Sequence, residues 1–366
     1  MRIVIDATPL LVRSAGVKNY LYHWIMHLRQ AAGAGVIGTF PPLDGLGPLT
    51  HETSVAGPVR TVGGLAALAL ANYAPVPVFD LLMRRADVFH ASVLVRKPPS
   101  RARLTATVHD LTGFLMPELH PRSNLAAERS FAQLARRADR LIAVSESTRN
   151  DAVRAFDIAP EKITTIHSGI ADAFFDPPAE RVQEVRTRYG LARPFVLFVG
   201  TIEPRKNLDL LLDAFESLPL RLREQYRLVI AGPVGWHAGR TLQRLRLVRY
   251  LGYVPEVDLA PLTAAAEVFV YPSLYEGFGF PVAQAMAAGV PVITSNVSSL
   301  PEVVGNAALL IDPRSQNELH TAMARLLTSP ELRISLAAAG RERARAFRWD
   351  RCAAKSLEFF REVVDG

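Results

Sequence analysis

The sequence predicts an α/β protein with two doubly wound domains, each built on a parallel β-sheet. Three observations support this fold class. The chain has 366 residues, enough for two domains of about 150 residues each. Short apolar runs alternate with longer amphipathic stretches, which is the pattern of βαβ units. The alternation restarts after Pro177-Pro178, so we place the domain boundary there, giving domains at residues 1–177 and 178–348.

In the first domain, β-branched apolar runs predict strands and amphipathic stretches predict helices. The strands are expected at residues 3–5, 86–90, 104–108, 140–144 and 163–166. The helices are expected at residues 17–29, 123–138 and 148–156. Apolar residues recur along the first helix with the spacing of one helix face, at Leu21, Trp24, Ile25 and Leu28.

The second domain repeats this pattern. Its strands are expected at residues 195–199, 227–231, 268–271, 292–295 and 308–311. Its helices are expected at residues 179–189, 207–217, 281–288 and 316–327. The tail, residues 348–364, places Trp349, Leu357 and Phe360 on one side of a strongly amphipathic helix.

The composition narrows the classes of partner. The net charge is +7, with most of the excess in the N-terminal half, and this favours anionic partners. The sequence has no run of consecutive Lys and Arg of the kind that marks a nucleic-acid-binding tail, so we expect no nucleic acid. The single cysteine, Cys352, excludes an intrachain disulfide and a cysteine-based zinc site. We therefore expect a cytoplasmic protein.

Residues 63–82 are unusually apolar. They contain Asn72 and Asp80 and fall short of the roughly 20 apolar residues that a membrane span needs. One interpretation is that this segment folds into the core of the first domain. The other is that the first domain lies peripherally on the inner face of the membrane through this segment.

Two adjacent cations lie between the strand at 195–199 and the next helix. Their loop begins with Gly200 and Thr201 and contains Arg205 and Lys206. Ligands of open α/β sheets bind beyond the carboxyl ends of strands, where this loop lies. Arginine offers a fork to phosphate oxygens and lysine a compact charge, which favours a diphosphate site. The alternative is an exposed basic pair before a helix, although cations are unfavourable there. We expect the loop to be exposed.

A second loop connects the strand at 268–271 to the helix at 281–288. Gly277 and Gly279 leave backbone N–H groups accessible beside a helix N-terminus, a favourable place for phosphate or sugar oxygens. Glu276 in the same loop has a carboxylate that accepts hydrogen bonds from neighbouring sugar hydroxyls. Its alternative role is to complement the helix dipole.

These loops belong to a set of motifs that resembles the retaining glycosyltransferases of the GT-B fold, family four. The motifs cover residues 108–110, 144–148, 203–207, 271–281, 289–295 and 299–303. Together they are specific for the family and only weakly specific for its substrate. The resemblance implies two Rossmann-like domains that face each other across a cleft. It also implies that a C-terminal helix at 349–366, with Phe347 before it, packs on the first domain.

The resemblance further implies roles for individual residues. Arg205 and Lys206 match a pair that neutralises the leaving nucleoside diphosphate, and Glu276 matches a glutamate that holds donor-sugar hydroxyls. His109 matches a histidine near the reacting sugar, although a lone histidine at a strand end is more often structural. The other positions that we expect at the donor are Gly16, Gly200, Thr201, Tyr253, Val254, Gly277, Phe278, Gly279 and Gln284.

Two positions depart from the family's pattern. The family's second glutamate, which grips the ribose hydroxyls, falls at Gln284, so an acceptor oxygen remains but the charge is lost. A charged hydrogen bond is worth roughly 1.5–3 kcal/mol against about 1 for a neutral one, so we expect weaker donor binding. The second departure is at residues 14–17, around Gly16, where many members carry paired glycines.

The sequence thus predicts a retaining, metal-independent glycosyltransferase without a cofactor. It contains no Asp-x-Asp pair, and Arg205 and Lys206 would supply the electrostatic stabilisation instead. The donor is expected to be a nucleotide-diphosphate sugar, GDP-mannose before a UDP-hexose, and the acceptor a glycan or lipid-linked glycan. Two alternatives are a catalytically weak, donor-binding partner subunit and a nucleotide-sugar epimerase of the same fold. A dehydrogenase is disfavoured because no Gly-x-Gly-x-x-Gly follows the first strand.

Overall fold

The computed structural model describes residues 1–14 and 16–366, apart from the side chains of Ser123 and Asn124. The chain forms two compact units. Unit 1 comprises Met1–Gly169 and Trp349–Gly366, and unit 2 comprises Ile170–Arg348. Each unit contains one sheet of six strands in the described part of the chain, and all the pairings are parallel. The predicted α/β class with two doubly wound sheets is confirmed.

Unit 1 has the strand order β2-β1-β3-β4-β5-β6, so its sheet changes winding direction between β1 and β3. Its strands are β1 (Ile3–Asp6), β2 (Ile37–Phe40), β3 (Val88–Ala91), β4 (Arg103–Val108), β5 (Arg140–Ala143) and β6 (Ile163–Thr165). The helices of its first segment are α1 (Gly16–Ala32), α2 (Pro58–Tyr73), α3 (Val78–Leu82), α4 (Thr112–Leu115), α5 (Arg122–Arg137) and α6 (Glu146–Phe156).

Unit 2 has the order β12-β11-β10-β7-β8-β9 and changes winding direction between β7 and β10. Its strands are β7 (Phe195–Val199), β8 (Arg227–Ala231), β9 (Arg249–Tyr250), β10 (Val268–Tyr271), β11 (Val292–Ser295) and β12 (Ala308–Ile311). Its helices are α7 (Ala179–Arg188), α8 (Leu208–Glu216), α9 (Leu220–Gln225), α10 (Gly239–Arg244), α11 (Glu256–Ala264), α12 (Phe280–Ala287), α13 (Leu300–Val304), α14 (Gln316–Thr328) and α15 (Pro330–Ala344).

The central strands are buried along their whole length. β1, β3, β10 and β11 are buried at every position, as expected for parallel strands covered by helices on both faces. This explains why their sequences are mostly apolar and do not alternate between apolar and polar residues. The carboxyl ends of these strands are therefore fixed, and the loops that follow them have rigid anchors.

The C-terminal helix α16 (Trp349–Asp365) packs on α1 inside unit 1. The Trp24 indole N–H donates to the Ser356 hydroxyl at 2.9 Å, and the rings of Tyr20 and Trp349 lie 5.5 Å apart. Phe347, which we expected to share this packing, lies instead in unit 2, with its ring 5.4 Å from that of Phe278. It belongs there because the chain enters unit 1 only at residue 349.

The junction between the units falls after Gly169, not at residue 177. Ile170 forms a parallel bridge with Arg348, and Phe174 is buried in a short 3-10 turn that contacts α11 and α12. These contacts tie residues 170–177 to unit 2. The Pro177-Pro178 pair therefore lies inside unit 2, just before α7. Among the helices of the described residues, none is both long and apolar enough to cross a bilayer.

Candidate functional site

The two loops singled out in the second domain meet at the switch point of the unit 2 sheet. Strands β7 and β10 are neighbours there. The Arg205 carbonyl accepts hydrogen bonds from the Leu274 N–H at 2.9 Å and from the Ser273 hydroxyl at 3.1 Å. The Asn207 amide donates to the Pro272 carbonyl at 3.1 Å. The loops are thus joined at the place where open α/β sheets bind ligands.

Gly232, which follows β8, packs directly against the loop that follows β7. Gly232 has a φ of +142°, and a Cβ there would lie 1.9 Å from the Gly200 carbonyl oxygen. Only glycine allows this approach. The Ile202 N–H then donates to the Pro233 carbonyl at 2.9 Å. Thr201 is half-buried beside this contact, so Gly200 and Thr201 are held by neighbouring backbone.

Arg205, Lys206 and Glu276 form one ion cluster. The Lys206 Nζ lies 2.5 Å from the Glu276 Oε1, and the Arg205 Nη1 lies 3.0 Å from Oε2. The Arg205 Nη2 also lies 2.8 Å from the Glu203 Oε1. Sequence reasoning selected these three residues from two loops, and the switch point brings them into direct contact.

The cluster is buried, so the expectation of an exposed loop is wrong. The side chains of Arg205, Lys206 and Glu276 are only 12%, 9% and 9% exposed. The short 3-10 helix Pro204–Lys206 packs against the second loop, and the Arg205 guanidinium donates to the Tyr275 carbonyl at 2.7 Å. A buried charge is unfavourable unless it is paired, which explains why each cation contacts a carboxylate.

Several side chains fix the Glu276 carboxylate. Its Oε1 accepts hydrogen bonds from Lys206, from the Tyr271 hydroxyl at 3.0 Å and from the Ser273 hydroxyl at 2.7 Å. Burial raises the pKa of Glu276, but the charges of Arg205 and Lys206 outweigh it and lower the pKa to about 2. The carboxylate is therefore ionised at neutral pH.

The formal charges of Arg205 and Lys206 are balanced by those of Glu203 and Glu276. A diphosphate at this place competes with carboxylates for the donors of the two cations. The Lys206 ammonium has three N–H donors, of which Glu276 takes one. The Glu276 Oε2 keeps acceptor capacity beside its contact with Arg205. The cluster is therefore able to accept both an anion and a hydroxyl.

The second loop ends in a tight backbone turn at the start of α12. Gly279 has a φ of +91° and precedes Phe280, the first residue of the helix. The side chain of Phe278 is buried and is therefore not accessible to a ligand. Gln284 lies half-buried on α12, and within the described residues no group hydrogen-bonds to its side-chain amide. Its amide is thus available to a ligand.

Tyr253 and Val254 follow β9, beside the loop after β8. The Gly232 N–H donates to the Gly252 carbonyl at 2.8 Å, which joins the two loops. Val254 is buried and Tyr253 is half-buried. The structure therefore holds Tyr253 and Val254 next to the glycine that supports Gly200.

In unit 1, His109 follows β4 and packs edge-on against the Tyr20 ring at 4.8 Å. Burial lowers the pKa of His109 to about 4, with a smaller opposing effect from Asp110. The imidazole is therefore neutral at pH 7. Gly16 begins α1, with open space where its Cβ would be, whereas Ala15, in the run that we singled out, lies outside the described residues. The buried His90 ring sits between the hydroxyls of Thr105 and Thr107, which supports a structural role for it.

Asp6 marks the switch point of unit 1 and was missed by sequence reasoning. It ends β1 and is 1% exposed. Its carboxylate accepts hydrogen bonds from the Thr8 hydroxyl at 2.8 Å and from Ser92, which follows the neighbouring strand β3. Burial raises the pKa of Asp6, against these hydrogen bonds. The sequence signal that was available is a carboxylate at the end of an apolar strand.

Comparisons with known proteins identify the family. A model described as "Glycosyl transferases group 1" matches residues 183–343, and one described as "Glycosyltransferase Family 4" matches residues 15–174. O-antigen chain mannosyltransferase B from Escherichia coli is 36% identical over 272 residues, covering 72% of this chain and 71% of that protein. The chain belongs to glycosyltransferase family 4. It is therefore a glycosyltransferase enzyme.

Two further comparisons place this glycosyltransferase among its relatives. The serotype-specific mannosyltransferase WbdA from Escherichia coli is 30% identical over 81% of this chain, which spans only 38% of that protein. HepE from Anabaena, solved in complex with UDP-glucose, superposes with a TM-score of 0.70 at 19% identity, covering 98% of this chain and 99% of HepE. At that identity the likeness shows the fold alone, and it supports the predicted GT-B class.

Each family model covers one set of site residues. The family 4 match contains His109 and Gly16, and the group 1 match contains the cluster of Arg205, Lys206 and Glu276. Tyr271 and Ser273, which fix the Glu276 carboxylate, were not predicted as site residues because hydroxyl partners have no sequence signature of their own. In the described part of this glycosyltransferase, no group of three or more His, Cys, Asp or Glu side chains is arranged to hold a metal ion.

Proposed function

We propose that this glycosyltransferase transfers a mannosyl group from GDP-mannose to a glycan or lipid-linked acceptor, with retention of anomeric configuration and without a metal ion. A UDP-hexose is the second candidate donor. The observation that carries the proposal is the buried cluster of Arg205, Lys206 and Glu276 at the switch point of unit 2. It combines two cations for a diphosphate with a carboxylate for a sugar.

In the proposed reaction, the nucleoside diphosphate departs from the anomeric carbon through an oxocarbenium-like transition state. Negative charge builds up on the departing diphosphate, and Arg205 and Lys206 stabilise it. Their position is fixed before reaction by Glu276, which supports electrostatic preorganisation. The acceptor hydroxyl attacks the same face, and the leaving phosphate accepts its proton. His109, neutral at pH 7, is proposed to contact the sugar as a hydrogen-bonding group.

The sugar is proposed from the names of the relatives. Both Escherichia coli relatives are named mannosyltransferases, and one of them is named for the O-antigen chain. An O-antigen-type glycan is therefore the first acceptor to test. HepE was solved with UDP-glucose, which supports a nucleotide sugar as the class of donor.

We also propose a cytoplasmic enzyme whose unit 1 contacts the inner face of the membrane through α2 and α3. Seven large apolar side chains in residues 58–82 are more than half exposed: Val59, Val62, Leu70, Tyr73, Val76, Leu81 and Leu82. The exposed Arg60 lies on α2, and the exposed Arg84 and Arg85 follow α3. Within the described residues, none of the three has a carboxylate partner. Each basic residue near an anionic surface adds roughly 1 kcal/mol of attraction.

The donor panel is the experiment that tests the function. Purified protein is incubated with an O-antigen-type acceptor and GDP-mannose, UDP-glucose or UDP-galactose in excess chelator, and the linkage is read by NMR. We expect turnover with GDP-mannose and an α-linked product. Turnover only with a UDP-sugar would overturn the donor, and a β-linked product would overturn retention. Activity that needs added magnesium or manganese would overturn metal independence. If the protein binds the donor but neither transfers the sugar nor hydrolyses the donor, the partner-subunit alternative is favoured.

A further inference from the structure

A cavity lined by arginines lies in unit 2, where β7, β8 and β9 begin. It is open, has a volume of about 350 Å³, and is lined by ten residues. Five of these are arginines: Arg193, Arg223, Arg227, Arg246 and Arg249. The other five are apolar or aromatic, so among the described residues no carboxylate lines the cavity. A strand of five residues is about 16 Å long, which separates this amino-terminal edge from the Arg205 cluster at the carboxyl ends.

The five arginines also have no carboxylate partner elsewhere. In the part of the chain that the structure describes, none of them lies within 4.0 Å of an Asp or Glu oxygen. The contrast with Arg244 on the nearby α10 is clear, because Arg244 contacts Asp209, Asp213 and Glu216 at 2.6–3.3 Å. The charge at the cavity is therefore left uncompensated by the protein's own carboxylates.

Three of the guanidinium groups are held by backbone carbonyls at the ends of helices. Arg193 donates to the carbonyls of Arg223, at 3.1 Å, and Glu224, while Arg223 donates to Leu218 at 3.0 Å. Arg249 donates to the Tyr189 carbonyl, beyond the end of α7, at 2.7 Å. A helix C-terminus carries only about half a negative charge, so it explains where these arginines lie but does not neutralise them. Each guanidinium has five N–H donors, of which these contacts use one or two.

The positions of the Arg227 and Arg246 side chains are not explained by hydrogen bonds to backbone carbonyls. No hydrogen bond from either guanidinium to a described residue is present, and both are exposed. Arg227 opens β8, and its side chain is on the same sheet face as that of Arg249, because Arg249 pairs with Val229, two positions after Arg227. Like charges placed together repel, and a bound anion would relieve that repulsion.

We propose that this cavity binds a phosphate-bearing ligand, with the arginine forks contacting a di- or triphosphate group. Guanidinium groups match phosphate oxygens in bidentate geometry, and the volume is at the lower end of ligand pockets. The phosphate belongs either to a free polyphosphate or nucleotide, or to a lipid headgroup. This site is separate from the donor site and does not depend on the donor proposal.

The test is a calorimetric titration of the full chain with inorganic tripolyphosphate. The variant is R227Q/R246Q, since neither side chain supports a neighbour by a hydrogen bond. The control is R221Q/R240Q, which removes the same charge from exposed arginines of unit 2 that do not line the cavity. We expect affinity to fall at least tenfold in the cavity variant and to stay within twofold of the native value in the control. Hydrogen exchange should show protection of residues 220–250 by tripolyphosphate in the native protein and in the control, and not in the cavity variant.

A second arm uses vesicles with and without anionic lipid and the same variants. Loss of tripolyphosphate binding with unchanged vesicle binding in the cavity variant assigns a free phosphate ligand. Loss of binding to anionic vesicles, with or without loss of tripolyphosphate binding, assigns a lipid headgroup. Equal behaviour of the cavity variant and the control in both arms overturns the proposal, because any phosphate binding then occurs elsewhere.

Discussion

Glu276 fixes the positions of the two cations in the cluster, because its carboxylate contacts both Arg205 and Lys206. Its carboxylate is buried, and the two cations within 3.0 Å are the main reason that it remains ionised. Removing one partner of a buried ion pair costs about 3–5 kcal/mol, since the other charge is then left unpaired. At the scale of single residues, the same group therefore contributes to stability and positions the proposed catalytic cations.

The first prediction concerns the pH dependence of stability. The pKa of Glu276 is about 2 in the folded protein and has an ordinary value of 4.5. A lowered pKa contributes stability that is fully present above the ordinary value and is lost as the pH falls towards 2. Denaturant unfolding should show a large stability gap between wild type and Glu276→Gln at pH 7 that shrinks below pH 4.5. Glu358→Gln, at an exposed position, is the control, and a gap independent of pH would contradict the assignment.

The second prediction concerns Gln284, whose amide is available on α12. Gln284→Glu restores a charged acceptor for the ribose hydroxyls, which lie away from the reacting carbon. Interactions that are equal in the ground and transition states change KM and leave kcat unaltered. We expect the donor KM to fall several-fold with kcat nearly unchanged, and no effect of Gln243→Glu on an exposed position of α10. An unchanged donor KM would remove the ribose assignment.

The sequence predicted which residues belong to the cluster but not how they pair. Arg205, Lys206 and Glu276 were recognised from loop chemistry and from the family motifs. Their mutual contact depends on β7 and β10 being neighbours, a property of strand order that no local pattern contains. The same cause explains why the loop was expected to be exposed, because its burial comes from a segment 70 positions away.

At the scale of elements, the loops that follow β7 and β8 depend on glycine. The Gly232 backbone lies so close to the Gly200 carbonyl that a side chain at position 232 does not fit. This contact fixes the path of the loop that carries Arg205 and Lys206. A change at Gly232 therefore acts on the site without touching a charged residue.

The third prediction tests this support. Gly232→Ala places a Cβ against backbone and strains a positive φ, so we expect a loss of several kcal/mol of unfolding free energy. The melting temperature and the affinity for the donor should both fall. Gly239→Ala is the matched control, because no atom lies within 4 Å of its Cβ position and its φ is not positive. Similar melting temperatures for the two variants would disprove the role given to Gly232.

The fourth prediction concerns α2 and α3. Wild-type protein should sediment with anionic vesicles in a salt-sensitive way and hardly at all with neutral ones. The variant V59S/L70S should lose most of this binding, because both side chains are more than half exposed on α2. L220S/I334S, with comparable exposure in unit 2, is the control. Equal binding to both vesicle types would contradict the attraction to anionic lipid, and binding to neither type would contradict membrane contact.

Helices and strands with a clear periodicity of apolar residues were predicted from the sequence. The others were missed for identifiable reasons. Helix α11 contains Pro261, which disfavours a helix in any local scheme. Strand β9 has only two residues, and β2 includes Gly38, a poor strand former. Residues 63–82 were expected either to fold into the core or to lie on the membrane, and they fit neither interpretation fully. Leu68 and Phe79 are buried, whereas Leu70 and Leu81 are exposed.

At the scale of the whole molecule, the two units use the same plan. Each sheet reverses its winding once, between β1 and β3 in unit 1 and between β7 and β10 in unit 2. A carboxylate lies at each reversal, Asp6 in one unit and Glu276 in the other, and each links the ends of neighbouring strands. Only Glu276 is paired with cations, which is why we propose that the diphosphate is bound by unit 2.

The central claim is that Arg205 and Lys206 stabilise the departing diphosphate. The most direct measurement is kcat for Lys206→Gln at saturating donor and acceptor, below the melting temperature of the variant. Removing one electrostatic stabiliser of a transition state typically lowers kcat by about 10²–10³, so we predict a loss of at least a hundredfold. Arg221→Gln, an exposed charge change in the same unit, should leave kcat unaltered. A folded Lys206→Gln protein that keeps kcat within about threefold of wild type would contradict the claim.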